Sequence, residues 1–335
     1  MFKKLTIDEI AKKAGVSKAT VSRVLNNKPD VKTETKERIE KIIGYYQFKP
    51  NAYAAGITKR KSRTIGLLAP QGTEYIYCNP FFSKVLHGIS VEVNKRGYYL
   101  MFCYVSKEDY VDVYQRNMVD GFIVLSPGTD HQGLIKRLIE VNVPFVSTSV
   151  LPDLESHQFI DIDNRKAARM AVGRLLELGH RDIALINSFS DLMANKERFK
   201  GYLEALEESG IIFDANLVKE GPPTFENGYK QVLAMDHTPD AIFACSDMEA
   251  FGAIEALKTK GVGVPTDVSV IGFDDIDFAA NFGLSTVRQP IYEKGVLAAN
   301  MLIRQIEGKR VQSHSLEVEL VERTTTMSRS SKNST

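Results

Sequence analysis

Apolar side chains recur every three or four positions through the first fifty residues, and this spacing predicts short amphipathic helices. The apolar positions of the first helix are Ile7, Ile10, Ala11 and Ala14. Thr6 and Glu9 form a Thr-x-x-Glu capping box, which marks where this helix begins. Gly15 supplies the left-handed residue that ends it, so a tight turn follows at once.

Two more helices follow with the same periodicity. Ser17 is placed to cap a second helix that runs to about Leu25, and Thr33 to cap a third. Phe48 and Pro50 end the third helix, because the residue before a proline avoids the helical region. The residues predicted to face inward are Val21, Val24 and Leu25 in the second helix and Ile39, Ile42, Ile43 and Tyr46 in the third.

From residue 64 the pattern changes to short β-rich runs that alternate with longer amphipathic stretches. The runs typical of strands are TIGLLA, YYLMFC, DGFIVL, VPFVST, DIALIN, AIFACS and VSVIGF. The stretches typical of helices are FSKVLHGISVEVNKRG, RKAARMAVGRLLELG, RFKGYLEALEESG and MEAFGAIEALKTKG. This alternation favours parallel sheets with helices on both faces, and the pattern indicates two such lobes.

Composition agrees with an ordinary globular chain. At 335 residues, two or three folded units are expected, and no run approaches the roughly 18 apolar residues of a membrane span. The first residues are amphipathic and do not resemble a signal peptide, so a cytoplasmic protein is predicted. Three widely spaced cysteines, Cys78, Cys103 and Cys245, are interpreted as reduced core residues rather than a disulfide or metal site.

Charge is unevenly divided along the chain. Residues 1–63 contain 16 Lys and Arg against 6 Asp and Glu, whereas the remaining residues contain 27 against 36. The near-neutral total of +1 therefore hides a basic module on an acidic body. Such a module is the expected footprint of a domain that meets polyphosphate.

Two short helices across a tight turn are typical of a helix-turn-helix, whose second helix lies in the major groove. With its apolar face turned inward, the second helix presents Lys18 and Arg23 as donors to guanine and the Ala19 methyl to thymine. Ser17 and the helix N-terminus suit a phosphate. The residues of this segment that we assign to DNA contact are Thr6, Ser17, Lys18, Ala19, Thr20, Ser22, Arg23 and Asn26.

The chain closely resembles the bacterial repressor family typified by the lac and purine repressors. The matching residues are LTIDEIAKKAGVSKATVSRVLNNKPDVKTETKERIEKIIGYYQFKPNAYA at positions 5–54, followed by TIGLLAP at 64–70 and further motifs to Arg323. The resemblance implies a homodimer that binds a short, near-palindromic double-stranded operator, with one headpiece on each half-site. No cofactor, metal or membrane partner is implied.

In that family the segment after the headpiece becomes a hinge helix on operator DNA and wedges an aliphatic side chain into the minor groove. The resemblance places Asn51, Ala54 and Ile57 in this DNA-binding segment, with Asn51 as the cap of the helix and Ile57 where the family usually has the wedging leucine. Ala55 stands where the family usually has arginine, and Gly56 lies inside the helix at a cost of roughly 1 kcal/mol relative to alanine. We therefore expect a hinge that orders less readily than most.

The resemblance also implies a periplasmic sugar-binding-protein fold, whose lobes are joined by three crossovers, here near Asp161, Gln289 and Glu319. The expected organisation is a helix-turn-helix headpiece at 1–50, a hinge and linker at 51–63, and a two-lobed α/β core of parallel sheets at 64–323. The expected lobe bounds are about 64–160 with 291–319 for the first and about 161–289 with 320–328 for the second, and 324–335 is expected to be a disordered tail.

A ligand in such a fold lies between the lobes, at the carboxyl ends of the strands. Asp274 follows the strand VSVIGF, and the resemblance gives it and Arg198 the family's effector-binding roles. Asp163 is assigned either to ligand contact or to helix capping, and Phe82 either to the pocket wall or to the core. Ser246 and Asp247 begin a helix, with Asp247 either a ligand contact or only its cap.

Pro223 stands where family members often have an aromatic ring, so a stacking surface is missing and the effector class is weakly constrained. Most members sense sugars or their phosphates, and a carbohydrate effector is the resulting hypothesis. Enzyme motifs such as GxGxxG, GxSxG and HExxH are absent from the sequence, so a catalytic function is not expected. Two alternatives stay open: a regulator controlled by a phosphorylated partner protein, and a ligand-binding protein with no regulatory role on DNA.

Overall fold

The computed structural model describes residues 6–25, 28–46, 48, 61–69, 79–103, 110–128, 132–151 and 157–329. These residues form two compact units, one within Met1–Ser62 and one within Arg63–Thr335. Among the described residues, no helix is both long enough and apolar enough to cross a membrane.

The first unit contains three helices, α1 (Ile7–Ala14), α2 (Lys18–Leu25) and α3 (Thr33–Tyr45). The predicted capping box is present, since the Glu9 amide donates to Thr6 Oγ1 over 3.2 Å and the Thr6 amide donates to Glu9 Oε2 over 2.7 Å. Gly15 adopts a φ of 65°, which allows the sharp turn into α2. The helices bury a small core of Ile10, Ala11, Ala14, Val21, Val24 and Ile39.

The second unit contains two six-stranded sheets, and the first of them forms lobe 1. Its strands are β1 (Thr64–Leu68), β2 (Tyr99–Cys103), β3 (Gly121–Val124), β4 (Phe145–Ser147), β5 (Gln158–Ile162) and β11 (His314–Leu316). They lie in the order β11–β5–β4–β3–β1–β2 and all pair in parallel. The helices of lobe 1 are α4 (Pro80–Lys95), α5 (Tyr110–Gln115), α6 (Gln132–Glu140) and α12 (Ile291–Ile306).

The second sheet forms lobe 2. Its strands are β6 (Ile183–Ser188), β7 (Val218–Gly221), β8 (Ala241–Ala244), β9 (Ser269–Asp274), β10 (Ser285–Arg288) and β12 (Glu319–Val321). They lie in the order β12–β10–β9–β8–β6–β7, parallel except for the antiparallel edge strand β12. The helices are α7 (Asn164–Glu177), α8 (Met193–Glu208), α9 (Phe225–Leu233), α10 (Asp247–Thr259) and α11 (Asp277–Asn281), with a 3₁₀ turn at Ala215–Leu217.

The chain passes between the sheets three times. It leaves lobe 1 after β5, returns between β10 and α12, and leaves again between β11 and β12. Each lobe buries apolar side chains on its sheet, with Val146 and Leu302 in the core of lobe 1 and Ile271 and Phe273 in that of lobe 2. The predicted architecture of a helical headpiece and an α/β core of two parallel sheets is confirmed.

The end of the chain corrects one expectation. Residues 324–329 are not a disordered tail, because they run along lobe 2 and bond to it. Thr325 Oγ1 accepts from the Ser285 amide and donates to the Val270 carbonyl, over 2.8 Å in each case, and the Arg329 amide donates to Leu178 O over 2.8 Å. The polar composition of this segment reflects these bonds, and residues 330–335 lie outside the described part.

Candidate functional site

A cavity lies between the two sheets, where the strands of both lobes end. It contains about 560 Å³ of space not filled by atoms, which includes the open solvent at its mouth. Lobe 1 contributes Ser126 and Pro127 after β3 and the start of α4. Lobe 2 contributes the ends of β6 and β9, the loop after β8 and one face of α8.

Arg198, on α8, is the main cationic group of the cavity. Its side chain is buried at 8% exposure, and its guanidinium lies 3.6 Å from the centre of the Phe273 ring. Nε donates to Asn164 Oδ1 over 2.9 Å and one Nη donates to the Cys245 carbonyl over 2.5 Å. Arg198 lines the cavity, and its two bonds leave further guanidinium N–H donors for a ligand.

Asp274 is the last residue of β9 and brings a carboxylate to the same cavity. Gln289 Nε2 donates to its Oδ1 over 2.6 Å. Burial raises the pKa of Asp274 to about 6, although the charge of Arg198 and the bond from Gln289 oppose this rise. Asp274 and Asp275 have φ values of 119° and 53°, which L residues rarely adopt and which are found at functional sites.

Asp247 does not line the cavity. Its side chain is fully buried, accepts from Thr286 Oγ1 over 2.5 Å and accepts from the Ile276 amide over 2.8 Å. Burial and the neighbouring charge of Asp274 raise the pKa of Asp247 well above its usual range. Of the two alternatives for Asp247, ligand contact and helix cap, the second is wrong, since the cap of α10 is Ser246, whose Oγ accepts from the Glu249 amide. Asp247 instead holds the loop that follows Asp274.

The other effector candidates fall into two groups. Phe82, Arg198, Ser246 and Asp274 line the cavity together. Asp163 caps α7 by accepting from the Lys166 amide over 2.9 Å, and it lines a separate cleft beside the first crossover. The capping alternative for Asp163 is therefore the one that the geometry shows.

A buried ion pair missed by the sequence interpretation lies where two crossovers meet. Lys294 and Asp161 are 5% and 3% exposed, and Lys294 Nζ lies 2.8 Å from Asp161 Oδ1. Asp161 also accepts from Asn164 Nδ2 over 3.3 Å, and Asn164 in turn accepts from Arg198. Lys294 also lines the cavity, so a polar chain joins the ligand site to both crossover segments.

A second missed group is Glu249, which lies beneath the cavity. The hydroxyls of Ser188 and Ser246, two residues that line the cavity, donate to its Oε2 over 2.7 and 2.8 Å. The sequence signal for Glu249 was its spacing from Ser246, a Ser-x-x-Glu pattern that indicates a helix start but not burial. The cavity is completed by Asn79, Phe81, Ser149, Leu192, Ala194, Asn195 and Pro223.

The first unit presents a separate polar surface. Ser17 caps α2 by accepting from the Thr20 amide over 3.2 Å, while Val21 and Val24 turn inward. The candidates exposed on this unit are Thr6, Ser17, Lys18, Ala19 and Arg23, with Thr20 and Ser22 half-buried. Asn26, Asn51, Ala54 and Ile57 lie outside the described residues.

Lys18 and Arg23 are held by exposed ion pairs, Lys18 to Asp8 at 3.0 Å and Arg23 to Asp30 at 3.5 Å. Exposed pairs of this kind contribute about 0–1 kcal/mol, so both cations can exchange partners readily. The described residues contain no group of three His, Cys, Asp or Glu placed to hold a metal ion.

Comparison with known proteins fits both units. Residues 6–51 match the model of bacterial regulatory proteins of the lacI family, and residues 172–326 match that of a periplasmic binding protein-like domain. The HTH-type transcriptional repressor CytR of Escherichia coli (strain K12) is 33% identical over 333 residues, covering 96% of each chain. The chain belongs to the lacI family of bacterial regulatory proteins.

Membership of the lacI family makes the chain a DNA-binding transcription regulator, and its named relatives are regulators rather than enzymes. A structure titled as a complex of the transcriptional regulator CelR with cellobiose is similar to it, with a TM-score of 0.72 and 30% identity, covering 96% of this chain and 99% of that one. The Lac repressor dimer bound to operator and the anti-inducer ONPF has a TM-score of 0.84 and 25% identity, covering 97% and 100%.

Proposed function

We propose that this protein is a homodimeric repressor whose affinity for a near-palindromic operator is controlled by a small carbohydrate effector bound between the two lobes. The observation that carries the proposal is that Arg198, with guanidinium donors left over from its two bonds, lines the same cavity as the Asp274 carboxylate. A planar donor fork beside an acceptor suits the vicinal hydroxyls of a sugar.

The rest of the cavity supports a polyhydroxyl ligand. Four serines line it, and they are Ser126, Ser149, Ser188 and Ser246. Phe82 and Pro223 give apolar wall that matches the C–H face of a sugar ring. The similar CelR structure contains cellobiose, which favours the same class of effector.

The operator is assigned to the surface of α2. Exposed Lys18 and Arg23 suit guanine edges, and the small exposed Ala19 allows close approach to the groove. The excess of basic residues over 1–63 adds a sequence-independent attraction to phosphate, so binding should weaken with salt. The lac repressor is the standard example of operator affinity that falls as the salt concentration rises.

A dimer is supported by an exposed apolar surface on lobe 2. Phe278 and Phe282 are 53% and 67% exposed, and Phe282 packs on Phe251 at 5.3 Å between ring centres. The Lac repressor structure with the same fold is a dimer on its operator. In the dimer, the effector acts by preferring one arrangement of the lobes, since a ligand shifts an equilibrium only by its differential affinity.

Arg23→Ala tests the DNA surface. The variant should bind the operator about 1–3 kcal/mol more weakly, because one bidentate donor to guanine is lost. The operator is first selected from a random duplex pool with the full chain, and affinity is then measured by fluorescence anisotropy at fixed salt. Discrimination against a changed guanine should relax as well.

Arg38→Ala is the matched control, since Arg38 is an exposed arginine on α3 rather than α2. It should lose little affinity, and what it loses should be equal for all duplexes. Equal loss of base discrimination in both variants would contradict the assignment of α2 as the recognition helix.

A further inference from the structure

Beneath the cavity, Glu249 is buried without a cation. Its side chain has 0% exposure, and no lysine or arginine of the described residues forms an ion pair with it. Its neighbours are neutral donors: Ser188 from β6, Ser246 from the start of α10 and Asn227 Nδ2 from α9, the last at 3.1 Å from Oε1. Burial of an ionised carboxyl group lowers the stability of the fold unless hydrogen bonds or a cation compensate for the lost water, and here only neutral donors do so.

The surroundings of Glu249 are closely packed. A Cβ on Gly228 would lie 2.0 Å from the Glu249 carbonyl oxygen, and one on Gly252 would lie 2.0 Å from the Phe225 carbonyl oxygen, so α9 and α10 touch through these glycines. A Cβ on Gly221 would lie 2.1 Å from Asn227 Oδ1, so the Asn227 amide is also confined. The carboxyl group and its donors therefore have little freedom to rearrange.

The hydroxyl count decides what the two serines offer to a ligand. A serine hydroxyl has one proton and two lone pairs, so a serine that donates to Glu249 can only accept from the cavity side. Ser246 Oγ already accepts from the Glu249 amide over 3.2 Å, which leaves it one lone pair. Both serines line the cavity.

We infer that Glu249, when ionised, is a positioning residue that turns the hydroxyls of Ser188 and Ser246 towards itself, so that these two hydroxyl oxygens recognise the effector only through the effector's own hydrogen-bond donors. The inference rests on the proposed function and narrows its effector class. The effector presents a donor such as a free hydroxyl to these oxygens, because a group that offers only acceptors finds no proton on them while Glu249 is ionised.

The cavity therefore holds both kinds of hydrogen-bonding group. Arg198 supplies donors beside Ser246, because one Nη donates to the carbonyl of the preceding Cys245, while Ser188 and Ser246 supply acceptors. A hydroxyl group satisfies both, because it donates and accepts. A sugar with an unmodified hydroxyl at the two serines therefore fits, and a sugar without a donor there loses these bonds.

Protonation of Glu249 opposes this arrangement. Burial raises the pKa of Glu249 to about 8, although the bonds from Ser188, Ser246 and Asn227 and the charge of Arg198 lower it. A protonated carboxyl donates to a serine and frees that hydroxyl to donate into the cavity. Since the effector prefers the ionised form, its affinity rises with pH, by up to about tenfold per pH unit below the pKa of Glu249.

The other titratable groups near Glu249 have different pKa values, so their effects on affinity occur at a different pH. Burial raises the pKa of Cys245 to about 12, above the relevant range, while that of Asp274 is about 6. An effector hydroxyl that donates to ionised Asp274 gives a first rise in affinity around pH 6. The second rise, towards pH 8, belongs to Glu249 and should vanish in Glu249→Gln while the first remains.

The first test uses ligand-free protein, so its result does not depend on the effector. Neutron diffraction from deuterated crystals, held roughly one pH unit above the pKa of Glu249, locates the hydroxyl deuterons of Ser188 and Ser246. We expect both deuterons on the lines to Glu249. A deuteron of either serine that points into the cavity would overturn the inference.

The second test uses unmodified mono- and disaccharides, cellobiose among them, each with its singly deoxyfluoro analogues, which keep size but lose one donor. Calorimetric titration of the natural protein should find a position where fluorine lowers affinity about tenfold, equal to 1.4 kcal/mol. In Glu249→Gln the amide donates to one serine, so this loss should shrink. Glu255→Gln, a change at a half-exposed position on the same helix, should leave it intact.

The outcomes distinguish failure of the carbohydrate proposal from failure of the role inferred for Glu249. If no unmodified saccharide binds the natural protein, the carbohydrate proposal fails, and the neutron result alone decides the role of Glu249. If saccharides bind but the fluorine losses and the pH profile are the same in Glu249→Gln, Glu249 has only a structural role in α10 and the inference is overturned.

Discussion

Lys294→Met should lower the free energy of unfolding of the two-lobed unit by about 3–5 kcal/mol, because it leaves the buried Asp161 carboxylate without its cation. The methionine keeps most of the apolar length of the side chain, so the loss is electrostatic rather than a cavity effect. Urea unfolding followed by circular dichroism measures the change, with the slope of the transition checked for constancy.

Lys84→Met is the matched control, since Lys84 pairs at 2.7 Å with an Asp277 side chain that is 83% exposed. This pair should contribute no more than about 1 kcal/mol. Asp161→Asn in the Lys294→Met background should restore part of the lost stability, because it removes the unpaired charge. Similar losses in Lys84→Met and Lys294→Met would show that burial does not set the strength of these pairs.

Arg198→Ala should weaken effector binding by about 2–5 kcal/mol while leaving operator affinity without effector unchanged. The substitution removes the remaining guanidinium donors, the bonds to Asn164 and to the Cys245 carbonyl, and the cation above the Phe273 ring. The measurement is an operator-binding isotherm with and without effector, the effector being identified by thermal-shift screening of the natural protein. Arg198→Lys should fail nearly as badly, because an ammonium group cannot reproduce the fork.

Arg169→Ala is the control for Arg198, since Arg169 is a half-exposed arginine on α7 that pairs with Glu208. It should bind effector normally. If the Arg198→Ala protein keeps its response to effector, Arg198 does not bind the effector and the proposed function is contradicted. A protein that loses effector and operator binding together would instead point to damage of the fold.

The sequence predicts the larger features because their signals are local. Strand runs such as VSVIGF and helix periodicity identify most elements, and the position of Asp274 at the end of such a run places its carboxylate at the sheet edge. The strands that the sequence interpretation missed, β5, β7, β10, β11 and β12, include short edge strands with weakly apolar composition. Such strands are specified by their pairing partners rather than by their own residues.

Burial of charged groups is the part that the sequence hides. Lys294 lies in an amphipathic helix start where lysine is normally solvated, and only the meeting of two distant crossover segments buries it beside Asp161. Glu249 has the same character, because the residues that enclose it come from β6 and α9. The order of residues 324–329 also depends on backbone bonds to strands far away in the chain.

Two sets of hydrogen bonds link the cavity to the crossover segments. Asn164, Asp161 and Lys294 connect Arg198 to two of these segments, and Gln289 bonds to Asp274. The side chains of wall residues such as Phe82 carry no polar group and take no part in these bonds. Substitutions of wall residues can therefore change which effector binds, while the hydrogen bonds between the cavity and the crossover segments stay intact. A duplicated copy of this chain therefore needs few substitutions to respond to a different effector. The same property makes the fold a suitable scaffold for engineered biosensors.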